Sequence, residues 1–172
     1  MKRNRALVLA IVTASFAVVG TMISLPASAG TAAGTVSVSA TIANNCTIGA
    51  STMLFGTYDP LVANLATNLD VLGSLSIACT KGATAAIVLD AGANGTHATG
   101  TTRAMVSGGT NYLNYELYTA AARTTVWNAS NTVSYVSTGK AASTVSIYGR
   151  IPSAQDANTG SYSDTVNATA TF

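Results

Sequence analysis

An all-β sandwich is the fold this sequence predicts, and three observations predict it. Short stretches alternate apolar and small polar side chains with a period of two, as at Leu75, Ile77 and Cys79 or at Leu113, Tyr115 and Leu117. Gly and Asn interrupt these stretches every ten residues or so, the spacing of turns between short strands. Charged residues make up only 8% of the chain, and no heptad repeat accompanies them. That charge is too low, and the apolar content too high, for a disordered chain. About seven strands can be counted, which suits an immunoglobulin-like sandwich.

The chain opens on a targeting segment. Lys2, Arg3 and Arg5 form a basic start, an apolar run follows, and Ala27-Ser28-Ala29 has the small residues that signal peptidase reads. A secretory signal peptide over residues 1–29 is therefore expected. The apolar run is short for a membrane span of roughly 20 residues. Removing the signal leaves five basic side chains against six acidic ones, a net charge near −1. No basic patch remains for a polyanion, which excludes nucleic-acid binding. By length, the rest is one domain.

Residues 34–42 come next. Val36, Val38, Ala40 and Ile42 fall on one face of an extended strand, with Thr35, Ser37, Ser39 and Thr41 on the other. The run holds no charge and no proline. It is either the first strand of its own domain or a strand meant for another molecule.

After a break at Asn44-Asn45, Cys46-Thr47-Ile48 starts the domain proper. Met53-Leu54-Phe55 is a short apolar segment ended by Gly56, and residues 61–70 read as a loop or helical turn. Leu75, Ile77 and Cys79 share the inner face of the next strand. Lys81-Gly82 forms a turn, and residues 85–89 form a core strand. The Gly- and Thr-rich stretch 92–109 reads as a long loop with a short edge strand at residues 103–106. In the strand that follows, Leu113, Tyr115 and Leu117 point inward, while Tyr112, Asn114, Glu116 and Tyr118 point outward. Further strands are expected at residues 125–127, around Val145 and Ile147, and at residues 166–172, where Val166, Ala168, Ala170 and Phe172 share a face. An apolar end such as Phe172 should be buried. The expected core is Ile48, Phe55, Leu75, Ile77, Ile87, Leu89, Leu113, Tyr115, Leu117, Trp127, Val145, Ile147 and Val166.

Cys46 and Cys79 are the only cysteines. In an exported protein an even pair reads as a disulfide. A metal site lacks partners, with one histidine, His97, and no CxxC. The same scarcity argues against an enzyme: the six carboxylates are scattered, and turn roles explain Asp59, Asp90, Asp156 and Asp164. No cofactor is expected. Asn94-Gly95-Thr96, Asn128-Ala129-Ser130 and Asn167-Ala168-Thr169 match the glycosylation triplet, which arises by chance in such a composition.

Five stretches carry a resemblance, in order along the chain. They are Phe55-Gly56-x-Tyr58-Asp59-Pro60, Cys79-Thr80-Lys81-Gly82, Leu113-Asn114-Tyr115-x-Leu117-Tyr118 with Trp127 following, Tyr148-Gly149-Arg150-Ile151-Pro152, and Gly160-Ser161-Tyr162-Ser163-Asp164-Thr165-Val166. Together they resemble the spore coat protein U domain, a family that includes subunits of archaic chaperone–usher (Csu-type) pili. One departure is Asn128-Ala129, where members often carry Gly and Asp after the tryptophan.

The resemblance implies an immunoglobulin-like domain that lacks its last strand and is completed by donor-strand exchange. A periplasmic chaperone first lends a strand to the open groove, and the N-terminal extension of another subunit later replaces it, at an outer-membrane usher. Residues 30–44 match that extension in position, with Val36, Val38, Ala40 and Ile42 as the donor side chains. Residues 45–172 match the pilin domain, and its end at Phe172 matches a domain that stops one strand short. The groove is then expected beside Val166, Ala168, Ala170 and Phe172. The implied function is a structural subunit of a surface pilus, homopolymeric or mixed with related subunits. Two alternatives stay open: a secreted coat protein around cells or spores, and a carbohydrate-binding adhesin, for which the mature length leaves no room for an added receptor domain.

Overall fold

Alternation carried by β-branched and aromatic residues yields two antiparallel sheets around one core. The computed structural model describes residues 28–172, so the expected signal peptide lies outside the described residues except for its last two positions. The chain divides after Ser39, and the compact unit is Ala40–Phe172. Residues 28–39 form no regular secondary structure, and all of them are exposed.

The compact unit holds β1 (Cys46–Gly49), β2 (Leu69–Cys79), β3 (Thr84–Leu89), β4 (Arg103–Ser107), β5 (Asn111–Tyr118), β6 (Val133–Val136), β7 (Ser143–Ile151) and β8 (Ala168–Thr171). Five strands form one sheet in the order β1-β2-β7-β5-β4, and three form the other in the order β6-β3-β8. Every ladder is antiparallel. The core is one cluster, with Leu75, Ile77, Leu117 and Ile147 from the larger sheet meeting Ala85, Ile87 and Leu89 from the smaller. Gly82 turns the chain between the sheets with φ of 84°, a conformation that favours glycine.

Cys46 and Cys79 face each other across the β1–β2 ladder and are joined, with S–S 2.04 Å. The bond ties a four-residue edge strand to the longest strand of the sheet. Just before it, the Thr80 N–H donates to the Asn45 carbonyl at 2.8 Å, and the Thr80 hydroxyl donates to the Ala43 carbonyl at 3.2 Å.

The structure corrects the sequence reading at several places. Residues 125–127 form no strand; Val126 makes a single bridge to Tyr118, and Trp127 donates its main-chain N–H to Leu117 at 2.8 Å. The strand in this region is β6, whose four residues are too few to stand out. β2 begins at Leu69, six residues before the clear alternation, because Asp70, Gly73 and Ser74 dilute the pattern. Glu116 is buried rather than outward-facing. Phe172 is half exposed, since β8 ends at Thr171 and Phe172 lies beyond the ladder. At the departure from the family pattern, the Asn128 side-chain oxygen accepts the N–H groups of Ser130 and Asn131 at 2.9 and 3.0 Å. This turn is held by an Asn side chain instead of glycine flexibility.

Candidate functional site

The seam between the sheets is bridged by polar bonds along one part, here called the closed side, and open along a neighbouring part, the open side. On the closed side, Arg103 reaches from β4 across to the end of β3. Its guanidinium donates to the carbonyls of Asp90 at 2.9 Å, Leu89 at 3.3 Å and Trp127 at 2.7 Å, and pairs with Glu116. Glu116 in turn accepts the Thr102 N–H at 2.8 Å and the Leu117 N–H at 3.0 Å. The Trp127 indole N–H donates to Ile87 at 2.9 Å. Arg103 and Trp127 are fully buried. Each buried polar group here has a partner, as burial requires.

On the open side lies a groove of about 280 Å3. One wall is the segment that carries Met53, Leu54 and Phe55, and the other carries Tyr162, Val166 and Ala168. Its base is apolar, with Leu75, Leu89, Leu117 and Ile147. β8 is an edge strand: β3 occupies one side, and no strand pairs with the other among the described residues. Toward β1 the seam narrows, for Cα atoms of β1 and β8 approach within 8 Å. A strand inserted between two others needs about 9.6 Å. The groove lies instead between residues 51–55 and 162–168.

No main-chain hydrogen bond holds residues 50–57 among the described residues. Side chains hold them instead. A Cβ at Gly149 would lie 2.7 Å from Met53 Sδ and 2.7 Å from Phe55 Cζ, and one at Gly73 would lie 2.5 Å from Met53 Cε. The two glycines thus form slots in β2 and β7 that seat Met53 and Phe55. Phe55 also meets the Tyr115 ring edge-on, with centroids 5.9 Å apart.

The opposite wall is pinned by polar contacts. Ser163 exchanges two main-chain hydrogen bonds with Val106, at 2.9 and 3.1 Å. Asp164 accepts the Tyr115 hydroxyl at 2.7 Å and the Asn94 amide at 2.9 Å. Burial, then the Asp164 carboxylate, pushes the Tyr115 phenol far above its ordinary value, so it stays a donor. Asp90 accepts the Asn167 N–H at 2.9 Å and its side-chain amide at 2.7 Å. Burial works against the Asp90 carboxylate, but these bonds, that of Gly92 and the Arg103 charge outweigh it and hold its pKa below the usual value. Two of the three glycosylation-type asparagines, Asn94 and Asn167, thus have their amides engaged within the fold.

Of the residues expected at the groove, Val166 and Ala168 line it; Ala170 lies opposite Ile87 in the ladder, half-buried, and Phe172 is not part of the lining. Val36, Val38 and Ile42 are more than four-fifths exposed, and Ala40 is exposed as well. His97 sits in the short 3-10 turn Gly95–His97 and stacks on Tyr112 with centroids 4.3 Å apart. Sequence reasoning missed Met105, which lines the groove from β4, and Asp164, which it placed as a turn residue. The glycine slots had a signal: Gly73 and Gly149 interrupt strands at inward positions, as close approach of another segment requires. Arg103 and Glu116 had none.

Comparison with known proteins agrees with this geometry. The model of the Spore Coat Protein U domain matches residues 32–169. Protein U of Myxococcus xanthus is 38% identical over 159 residues, covering 86% of this chain and 88% of that one. Among solved structures, the chain is similar to a chain of the chaperone–tip adhesion subunit pre-assembly complex (CsuC–CsuE) from archaic chaperone–usher Csu pili of Acinetobacter baumannii. The TM-score is 0.55 and the identity 22%, with 77% of this chain and 40% of that chain covered. The chain belongs to the spore coat protein U domain family.

Proposed function

We propose that this protein is a structural subunit of a surface pilus, assembled by a chaperone–usher pathway through donor-strand complementation and serving adhesion and biofilm formation. The observation that carries the reading is a pair of unmatched surfaces in one chain. A groove with an apolar base reaches the start of β8, whose outer edge is unpaired among the described residues, and the exposed residues 34–42 alternate as a strand that would fill it. An open apolar edge is an aggregation hazard, so a cell must keep it covered. In this reading a periplasmic chaperone covers the groove first, the outer-membrane usher hands the subunit on, and Val36, Val38, Ala40 and Ile42 of a second copy then take the chaperone's place. Burial of Val36, Val38 and Ile42 contributes roughly 1.5–3 kcal/mol each. The main chain of residues 50–57 is free to add a second ladder. Export through the periplasm to the cell surface follows.

Val38→Asp tests it. The aspartate would carry a charge into an apolar groove with no cation among its lining residues. The variant should be exported and hold its chaperone, yet form no SDS-resistant polymers. Normal polymers from it would overturn the donor-strand reading.

A second reading, a spore or cell coat protein, is favoured by the similarity to protein U across 88% of that protein. Electron microscopy of cells separates the two, fibres supporting the first and a continuous layer the second.

A further inference from the structure

The chain has four methionines, and the two among the described residues, Met53 and Met105, both line the groove. They come from different elements, the segment at residues 50–57 and β4, and both are half-buried. We propose that the groove is an oxidation-sensitive acceptor, in which peroxide converts these thioethers to sulfoxides while the groove is open and so bars a strand from entering. The inference rests on the donor-strand reading above.

The chemistry needs only a peroxide. A sulfur lone pair attacks one peroxide oxygen, the S–O bond forms as the O–O bond breaks, and the departing hydroxide takes the proton from the oxygen now on sulfur, leaving the sulfoxide and water. Sulfur loses two electrons and peroxide gains them. The consequence follows from packing. Met53 is wedged over Gly73 and Gly149, with no room on that side for another atom. A sulfoxide oxygen there must point into the groove or lift Met53 off the sheet. Lifting it would loosen a wall that has no main-chain hydrogen bonds of its own. At Met105 the oxygen would enter the same space. Either way a strong acceptor stands in an apolar groove where an incoming aliphatic side chain offers it no donor. A filled groove covers both sulfurs. Oxidation would therefore remove unassembled subunits and spare assembled ones.

The test uses the full chain, held monomeric at low concentration, and a dye-labelled peptide of residues 34–42. Binding is read by fluorescence anisotropy, and oxygen uptake at each methionine by mass spectrometry. After hydrogen peroxide treatment the peptide should bind about tenfold or more weakly than before. In a Met53→Leu, Met105→Leu chain, the ratio of affinities before and after peroxide should stay near one. Peptide bound in advance should slow oxygen uptake at both positions. Undiminished binding by a chain oxidised at both methionines would overturn the inference, as would an equal loss in the double-leucine chain. If the peptide fails to bind even the untreated chain, the donor-strand reading itself falls, and this inference with it.

Discussion

The two sides of the sandwich seam are held by opposite means. On the closed side, one guanidinium spans the sheets, donating to the carbonyls of Asp90, Leu89 and Trp127 and pairing with the buried Glu116. On the open side, residues 50–57 lean on the sheet through Met53 and Phe55, seated over glycines, with no main-chain hydrogen bond among the described residues. Directional bonds in low dielectric fix a geometry and make its loss costly. Contacts of an unbranched thioether and a ring edge are weaker and more tolerant of rearrangement. If a strand enters as proposed above, the wall that accepts it is held by the second kind of contact, and the bridge that keeps the sheets together is held by the first.

The largest expected effect comes from breaking the closed side. Glu116→Ala leaves the Arg103 charge buried without its counterion, and removing one partner of such a pair costs about 3–5 kcal/mol. That is a large part of the stability of a domain. Urea unfolding should show the midpoint fall steeply or the chain fail to accumulate. Replacing both residues by apolar ones should not restore the loss, because the Leu89 and Trp127 carbonyls and the Leu117 N–H would lose these partners.

Disulfide removal comes next. Cys46→Ser with Cys79→Ser frees a loop of sequence separation 33, worth about 3–4 kcal/mol in the chain-entropy account. Since β1 lies beside the narrow end of the groove, this variant should also widen the seam there. Amide hydrogen exchange in residues 46–49 would rise out of proportion to the global change.

How much of this was legible in the sequence follows the same division. Period-two alternation located Leu75–Ile77–Cys79, Leu113–Tyr115–Leu117 and Val145–Ile147 in the correct register, because an apolar face must choose one side of a sheet. Of the four alternating residues expected at the groove, Val166 and Ala168 line it and Ala170 and Phe172 do not. The closed side was not legible. Arg103 and Glu116 are thirteen residues apart and ordinary in type, and a polar residue is read as exposed unless its partner is known. Asp164 looked like a turn residue because only the fold brings Tyr115 and Asn94 to it. The near wall carried its signal in glycines of other strands rather than in its own residues.

On the open side, Gly149→Ala is the sharpest probe. The new Cβ would strike Met53 Sδ and Phe55 Cζ, both 2.7 Å away, and both are ends of side chains that can shift. Overpacking of this kind costs about 1–3 kcal/mol. Stability should therefore fall less than for Glu116→Ala, while binding of the residue 34–42 peptide should fall more. A variant that lost stability as Glu116→Ala does, with peptide binding intact, would erase the distinction between the two sides.

The smallest effect is set by pH, and it distinguishes the far wall from the sheet surface. Asp70 and Asp90 both have pKa values lowered from 3.8, Asp70 chiefly by the Arg150 hydrogen bond and Asp90 by the bonds from Asn167 and Gly92 that outweigh its burial. A carboxyl whose folded pKa lies below its unfolded one binds fewer protons when folded. Its stabilisation is complete above 3.8, and it is lost as the pH falls through the folded value. Asp70 is about a third exposed, so solvent screening limits its pair with Arg150 to under about 1 kcal/mol. Asp90 ties the start of β8 to the end of β3. Asp90→Asn should flatten the acid limb of the stability curve and raise hydrogen exchange in β8, whereas Asp70→Asn should flatten the limb alone. Equal exchange in β8 for both variants would show that the Asp90 clamp does not govern the far wall of the groove.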